Sequence, residues 1–309
     1  MARGAKSFNH DAKTPRFIDE QRKEIGAFMF IHWFPGHMTK ALRQMEEDAG
    51  KVDCVIYVID SRIPLASINC AYDKIFANKP RLYVLNKADM VQQNEIAKWK
   101  PYFSQNGNEC IVTNSTVKGG SGAFVSALKK LNAEKIEKYK NKGVKKTIRA
   151  MVIGVPNCGK STLINSLIAK KRTVTGDRPG VTRGKQWVSI DPYIDLLDTP
   201  GTLYPDFSDQ VKATHLAMVG SVKDDILDIV ELACEIIKFL RNEYPENLQN
   251  KFANVLFSEN DLDNLSLIAK KRGYVLKGGE LDIERAAKAI ILDFRRNAFG
   301  KIIIEKNEN

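Results

Sequence analysis

Residues 148–168 read IRAMVIGVPNCGKSTLINSLI, a pattern of strand, glycine-bearing loop and helix. The apolar, β-branched first part predicts a buried strand, and the apolar spacing after the loop predicts a helix. Between them, Gly154, Gly159, Lys160 and Ser161 match the P-loop pattern. Backbone N–H groups of such a loop point at the β-phosphate of a nucleoside triphosphate, the lysine approaches the β- and γ-phosphates, and the serine hydroxyl binds Mg²⁺. The loop predicts a triphosphate site but does not indicate the base.

The base is indicated by a second segment, RLYVLNKADM at residues 81–90. Its apolar first part predicts a strand, and Asn86, Lys87, Ala88 and Asp89 follow at the carboxyl end of that strand. Ligands bind at this end of the strands in α/β folds. The Asp89 carboxylate can accept hydrogen bonds from the N1–H and exocyclic amine of guanine, and adenine offers no such pair of donors. Asn86 would brace the loop, and the Lys87 stem would lie on the ring. We therefore predict GTP as the nucleotide, with P-loop contacts from Asn157, Cys158, Gly159, Lys160, Ser161 and Thr162.

Other residues of a GTPase site are predicted in the same way, from their places relative to the ends of strands. Ser115 closes the next predicted strand and is expected to make a backbone contact to the guanine O6. The segment LLDTPG at residues 196–201 places Asp198 where its carboxylate reaches Mg²⁺ through water, and the Gly201 N–H can bond the γ-phosphate. Thr182 lies between the P-loop helix and this strand. It is therefore the predicted switch threonine on Mg²⁺.

The parts of a GTPase are present in a rearranged order, because the guanine-binding segment precedes the P-loop. Joining the ends of an ordinary GTPase and opening it after the Asp-x-x-Gly strand gives this order, and such joins are tolerated where termini lie close together. We expect an α/β fold at residues 29–204, a circularly permuted P-loop GTPase domain with a mostly parallel sheet flanked by helices. Residues 129–149, with nine basic and two acidic side chains, would form a solvated helix and linker at the new join.

The pattern changes after about Pro205. Four segments repeat apolar residues at three- and four-residue spacing, and each is opened by Asp. These segments predict a small all-α domain at residues 205–309. Residues 1–28 are expected to form a flexible basic and polar extension.

The charge of the chain is unevenly distributed. Residues 1–204 hold 33 Lys and Arg against 19 Asp and Glu, whereas residues 205–309 hold 15 against 18. This asymmetry indicates a polyanionic partner for the first part, although a well-solvated basic surface has the same composition. Five dispersed cysteines without Cys-x-x-Cys spacing favour reduced thiols in the cytoplasm over a disulfide framework or a zinc site. The apolar stretch near the start is too short for a membrane span.

At the level of its motifs, the chain resembles the circularly permuted ribosome-biogenesis GTPase A family (RbgA/YlqF-like), from about Ile31 onward. The motifs that carry the resemblance are WFPGHM (33–38), DSRIPLAS (60–67), NKAD (86–89), GVPNCGKSTLINSL (154–167), TGDRPGVTRGKQW (175–187) and LLDTPGTLYP (196–205).

The resemblance implies a GTPase that acts late in assembly of the large (50S) ribosomal subunit, binding its precursor in the GTP state and leaving after hydrolysis. It implies that His37 is the catalytic residue that positions the attacking water. In ordinary GTPases a glutamine after Asp-x-x-Gly has this role. Here Thr202 occupies that position, and its hydroxyl is too short for the task. The resemblance also links Asn157 to a K⁺ ion.

Two other functions remain open at this point. The first is a GTP-gated rRNA-binding placeholder in which hydrolysis is not required, and the second is a small-subunit assembly GTPase. Small-subunit relatives carry an added nucleic-acid-binding barrel or a zinc cluster, and neither is indicated here. Basic residues near helix ends in the last third would either contact rRNA phosphates or serve helix C-termini, namely Lys270, Lys271, Arg272, Arg295 and Arg296. We expect a monomer with no membrane partner.

Overall fold

The computed structural model describes residues 31, 36–116, 121–175, 187–203 and 209–307. The predicted extension at residues 1–28 and the predicted switch residue Thr182 lie outside this part of the chain. For His37 the backbone belongs to a described helix, and the side chain lies outside the description. The roles predicted for Thr182 and His37 therefore stay predictions.

One sheet forms the centre of the fold. Its strands are β1 (Cys54–Asp60), β2 (Arg81–Asn86), β3 (Glu109–Val112), β4 (Ile148–Ile153), β5 (Trp187–Asp191) and β6 (Ile194–Asp198). They lie in the order β3-β2-β1-β4-β6-β5. Neighbouring strands are parallel except β5, which is antiparallel to β6. The predicted mostly parallel sheet is confirmed.

Strand β1 shows why the sheet is buried on both faces. All seven of its residues are buried. Because successive side chains of a strand point to opposite faces, Ile56 and Val58 enter one apolar core, and Val55 and Tyr57 enter the other. A strand covered on both sides reads as a continuous apolar run rather than as an alternating one.

Helices cover the sheet and connect its strands. They are α1 (Gly36–Ala49), α2 (Cys70–Ile75), α3 (Gln93–Phe103), α4 (Ser121–Leu131), α5 (Ala133–Lys140) and α6 (Lys160–Thr175). None of the residues of α5 is buried. The prediction of a solvated helix within residues 129–149 is therefore confirmed.

The last third of the described chain is helical, as predicted. It contains α7 (Gln210–Met218), α8 (Ile229–Glu243), α9 (Pro245–Lys251), α10 (Asp261–Lys271) and α11 (Ile283–Arg295), with α8 packed against the others. Asp209 and Asp282 cap α7 and α11, as the sequence predicted. The predicted start of α8 at Asp224 is wrong, because Asp224–Ile226 forms a 3₁₀ turn before the cap Asp228. Helix α10 begins at Asp261 as predicted, and Asn260 caps it.

A single apolar cluster runs from the sheet into this helical part. Ile56 and Val58 of β1 belong to the same cluster as Leu203 and Leu216. The domain boundary at residues 204 and 205 therefore stays a prediction. None of the helices that the structure describes has the length and apolarity needed to span a bilayer.

Candidate nucleotide-binding site

The strand order brings the predicted site residues to one edge of the sheet. Strands β2, β1, β4 and β6 are neighbours and parallel, so their carboxyl ends lie side by side. Asn86 ends β2, Asp60 ends β1, Gly154 follows β4, and Asp198 ends β6. Motifs that are permuted along the sequence are thus contiguous in space, at the edge where α/β folds bind ligands.

The P-loop depends on backbone conformations that favour glycine. Gly154 has a φ of 150°, and an added Cβ would overlap the carbonyl oxygen of Val58 on β1. Gly159 has a φ of 99°, and its added Cβ would overlap the Asn86 side-chain amide. The two glycines therefore allow the loop to lie directly against β1 and against the guanine-binding motif.

Lys160 lies at the centre of the loop. Its Nζ donates hydrogen bonds to the carbonyl oxygens of Gly154 at 3.1 Å and Val155 at 2.9 Å. A Cβ added to Gly201, in the Asp-x-x-Gly segment, would lie 2.7 Å from the same Nζ. Lys160 and Gly201, the groups predicted to contact the β- and γ-phosphates, are thus adjacent.

Asn86 joins the guanine-binding motif to the P-loop. Its Nδ2 donates to the Cys158 carbonyl at 2.8 Å, and its Oδ1 accepts from Ser115 N at 3.0 Å and Ser115 Oγ at 2.7 Å. The bracing role predicted for Asn86 is what the structure shows. Ser115 is buried and directs both of its donors to Asn86. Its predicted contact with the guanine O6 stays a prediction.

Lys87 makes a second link across the site. It adopts a left-handed conformation with a φ of 59°, and its Nζ donates to the Asn157 carbonyl at 2.6 Å and to Asp60 Oδ2 at 2.8 Å. The Ala88 N–H donates to the Thr113 carbonyl at 3.2 Å, and Asp89 is exposed at the surface. The loop is therefore fixed from three sides while the predicted guanine acceptor faces solvent.

Asp60 and Arg62 were quoted in the sequence only as part of a family motif, and the structure gives them a position in the site. Arg62 donates through Nε and Nη2 to the two Asp60 oxygens, at 3.0 and 2.8 Å. Burial alone would raise the pKa of the Asp60 carboxyl, but Arg62 and Lys87 hold it far below its usual range. Burial alone would lower the pKa of Arg62, and Asp60, with a contribution from Asp89, raises it instead. The signal that could have found Asp60 is the one used for Asn86, a polar residue at the end of a buried strand.

Two of the residues predicted to hold Mg²⁺, Ser161 and Asp198, offer oxygen ligands of the kind that this ion takes. Ser161 lies in the first turn of α6 and Asp198 at the end of β6, and both are accessible to solvent. Partial desolvation raises the pKa of the Asp198 carboxyl, and the Lys160 ammonium opposes this change. Across the described residues, no three His, Cys, Asp or Glu side chains form a metal cage. A hydroxyl and a carboxylate with nucleotide phosphates and water are the oxygen ligands that Mg²⁺ usually takes.

The Thr202 side chain makes a hydrogen bond in the interior of the protein. It is fully buried, and its Oγ1 lies 2.7 Å from the Tyr72 hydroxyl, which donates to the Gly154 carbonyl at 3.2 Å. Burial raises the pKa of Tyr72 to about 12, so this hydroxyl keeps its proton. Asn69 Nδ2 donates to the Leu203 carbonyl at 2.9 Å. The side chain in the place of the usual glutamine therefore ties the Asp-x-x-Gly segment to α2 and the P-loop.

We expect Thr202→Val to lower the free energy of unfolding by about 1 kcal/mol, because a buried hydroxyl pair loses one partner. Tyr72→Phe should cost a similar amount. The double variant should cost less than the sum, since both changes remove the same hydrogen bond. Urea denaturation of the three variants measures the coupling. Strict additivity would show that the two hydroxyls do not stabilise each other.

The helical part of the chain touches both ends of the site. Near the P-loop, Ser221 Oγ donates to the Pro156 carbonyl at 2.8 Å. Near the guanine-binding motif, Ile302 N–H donates to the Met90 carbonyl at 3.0 Å and Ile304 N–H to the Arg62 carbonyl at 2.8 Å. The sequence patterns did not indicate these contacts between distant segments of the chain.

The sheet is mostly parallel, and the P-loop is hydrogen-bonded to an Asn-Lys-x-Asp motif that precedes it in the chain. These features define a circularly permuted P-loop GTPase. Residues 149–271 match the family described as 50S ribosome-binding GTPase. The chain is 41% identical to ribosome biogenesis GTPase A of Bacillus licheniformis, over 91% of this chain and 100% of that protein. It is 33% identical to the Thermotoga maritima protein of the same name, over 90% and 95%. The protein belongs to the ribosome biogenesis GTPase A family.

A solved structure shares the fold. The crystal structure of GNP-bound YlqF from Thermotoga maritima matches with a TM-score of 0.62 and 27% identity, and the match covers 87% of this chain and 99% of that one. The resemblance stated from the motifs is confirmed.

Proposed function

We propose that this GTPase is an assembly factor that acts late in biogenesis of the large ribosomal subunit, binding the precursor with GTP and leaving after hydrolysis. The GTP dependence is supported by two hydrogen bonds between the guanine-binding motif and the P-loop. Asn86 bonds to the Cys158 carbonyl, and Lys87 bonds to the Asn157 carbonyl. Ser161, Thr182 and, through water, Asp198 would hold Mg²⁺, which neutralises phosphate charge when bound. The Asn157 side-chain oxygen would bind K⁺. The relatives' names support the ribosomal role.

The place of His37 in the chain supports a catalytic role for it. The next residue, Met38, is buried and lines a cavity of about 220 Å³ together with Pro156 and Gly201. The Leu203 N–H approaches Met38 Sδ at 3.4 Å. The start of α1 therefore lies beside the phosphate side of the site. We propose that His37 positions the attacking water there when the ribosomal particle is bound.

A basic surface at the opposite end of the sheet supports a polyanionic partner. It surrounds a cavity of about 620 Å³ whose lining includes Lys129, Lys145 and Tyr193. The two ammonium groups lie 5.9 and 5.8 Å from the centre of the Tyr193 ring. Tyr193 precedes β6, so this surface is near the amino ends of the strands, away from the nucleotide. Lysines beside an aromatic ring suit RNA phosphates and bases.

The basic residues near the ends of the last helices divide into two groups. Arg272 pairs with Asp293, and Arg295 pairs with Asp224 at 2.7 Å, so these two arginines serve the helical packing. Lys270, Lys271 and Arg296 are exposed, and they are the members of this set that remain suited to phosphate contacts.

The test is GTP hydrolysis in potassium buffer by the purified protein, alone and with isolated large or small subunits. Large subunits should stimulate turnover, because the bound particle would place His37 beside the attacking water. His37→Ala should lose about 10²-fold of the stimulated rate. His37→Gln is the matched control, since a glutamine amide can orient water, and it should retain more activity than alanine.

Stimulation that survives in His37→Ala would keep the partner and remove the catalytic assignment. Stimulation by small subunits alone would support the small-subunit alternative. If His37→Ala leaves the particle as the unaltered protein does and the precursor still matures, the protein is a GTP-gated placeholder in which hydrolysis is not required; a variant trapped on the precursor would support the need for hydrolysis.

A further inference from the structure

The loop after α7 forms one wall of the phosphate side of the site. The cavity of about 220 Å³ is lined by residues 220–223 as well as by Met38, Pro156, Asn157 and Gly201. Gly201 adjoins Lys160 Nζ. The cavity therefore borders the groups that would surround the terminal phosphate of GTP, and a residue far from the GTPase motifs in sequence has access to it.

This loop is fixed to the P-loop by two hydrogen bonds. Ser221 Oγ donates to the Pro156 carbonyl at 2.8 Å, and Asn157 Nδ2 donates to the Gly220 carbonyl at 2.6 Å. Gly220 has a φ of 83°, and an added Cβ would lie 3.0 Å from Arg295 Nε. The tight turn therefore needs glycine.

Arg295 supports the loop from the other side. Its Nη2 donates to the Ala217 carbonyl at 2.8 Å, and its Nε donates to the Met218 carbonyl at 3.2 Å. The guanidinium also binds both oxygens of Asp224, at 2.7 and 2.8 Å. Residues 219–223 are thus held between α11 and the P-loop.

Lys223 is the cation that this loop presents to the cavity. It lines the cavity and is exposed. Its neighbour Asp224 forms an ion pair with Arg295. Within the part of the chain that the structure describes, Lys223 forms no ion pair. The ammonium is therefore available to an anion on the phosphate side.

We propose that Lys223 contacts the γ-phosphate of GTP, so that the helical part of the chain supplies a cation to the nucleotide site in cis. The inference rests on the proposed GTP site. Charge on the γ-phosphate is spread over its outer oxygens, and a cation beside them stabilises it. GDP lacks this phosphate, so the contact distinguishes the two nucleotides. The loop at residues 220–223 would then report the nucleotide state to the helices.

The test is equilibrium binding of a non-hydrolysable GTP analogue and of GDP, both with Mg²⁺, to Lys223→Met. Losing a charge-assisted hydrogen bond should lower affinity for the analogue about tenfold or more, with little change for GDP. Lys223→Arg should retain most of the affinity, since it keeps the cation. Lys277→Met is the matched control, because it removes the same charge at an exposed site outside the cavity lining.

An unchanged affinity of Lys223→Met for the analogue would overturn the proposal. Equal losses for the analogue and for GDP would also overturn it, because they would reflect a general change in the site. Failure of the unaltered protein to bind GDP would contradict the nucleotide site itself, which separates that failure from a failure of Lys223.

Discussion

Asp89→Asn is expected to lower the affinity for GTP on the order of 10⁴-fold and to create affinity for xanthosine triphosphate. In the proposed site the Asp89 carboxylate would accept from two guanine donors, and an amide would turn one of its acceptors into a donor facing a donor. Xanthine carries a carbonyl where guanine carries the exocyclic amine, so it restores the pairing. The loop that holds Asp89 is fixed by Lys87 and by the Ala88 N–H, so the substitution should change recognition and leave the fold intact.

Competition binding with the guanosine, xanthosine and adenosine triphosphates measures this change. The gain of xanthosine binding is the decisive observation, because a misfolded variant would bind none of the three. Glu95→Gln, on α3 beyond the motif, is a control that removes one carboxylate and should leave the preference for GTP unchanged. A variant that still prefers GTP would show that Asp89 does not read the base.

Asp60→Ala is expected to lower the free energy of unfolding by about 3–5 kcal/mol. Asp60 and Arg62 are 1% and 4% exposed, so removing the carboxylate leaves a buried guanidinium without its counter-charge. The double variant Asp60→Ala/Arg62→Met should regain most of this stability, since an apolar side chain needs no partner. Its affinity for GTP should stay reduced about tenfold, because Lys87 has lost the carboxylate that positions it. Stability and nucleotide affinity would thus respond differently to the second substitution.

Chemical denaturation and nucleotide binding of the single and double variants give these two quantities. The pKa of Asp60 is depressed in the folded protein, so the pair contributes its stability above the ordinary carboxyl pKa of about 4. That contribution is lost as the pH falls below this value towards the depressed pKa. The unaltered protein should therefore lose more stability in acid than the double variant does. A single variant within 1 kcal/mol of the unaltered protein would contradict the assignment.

Much of the site could be predicted because its residues end buried strands. Asn86, Asp198 and Gly154 each follow an apolar run, and parallel strands bring their carboxyl ends together whatever their order in the chain. The permutation could be recognised for the same reason. The motifs lie at the ends of neighbouring strands, although their order along the sequence is changed.

Contacts that depend on docking between distant segments could not be predicted. Ser221 and Pro156 are 65 residues apart, and nothing in the local pattern around either residue indicates the other. Thr202 was considered for its place after Asp-x-x-Gly, but its burial against Tyr72 depends on how α2 lies on the sheet. The helix caps Asp228 and Asn260 were missed for a smaller reason, because several nearby polar side chains compete for the capping position.

The permuted order also sets the sequence of events during translation. Chains fold from the amino terminus as they are made, so β1, β2 and β3, with the base-binding motif, are synthesised before the P-loop between β4 and α6. The segment that bonds to Met90 and Arg62 is made later still, at residues 302–304. A nascent chain therefore carries the base-binding motif without the P-loop until residue 161 has been made. We expect stable GTP binding only from a chain that has been translated through this last contact, because residues 302–304 support the base-binding loop.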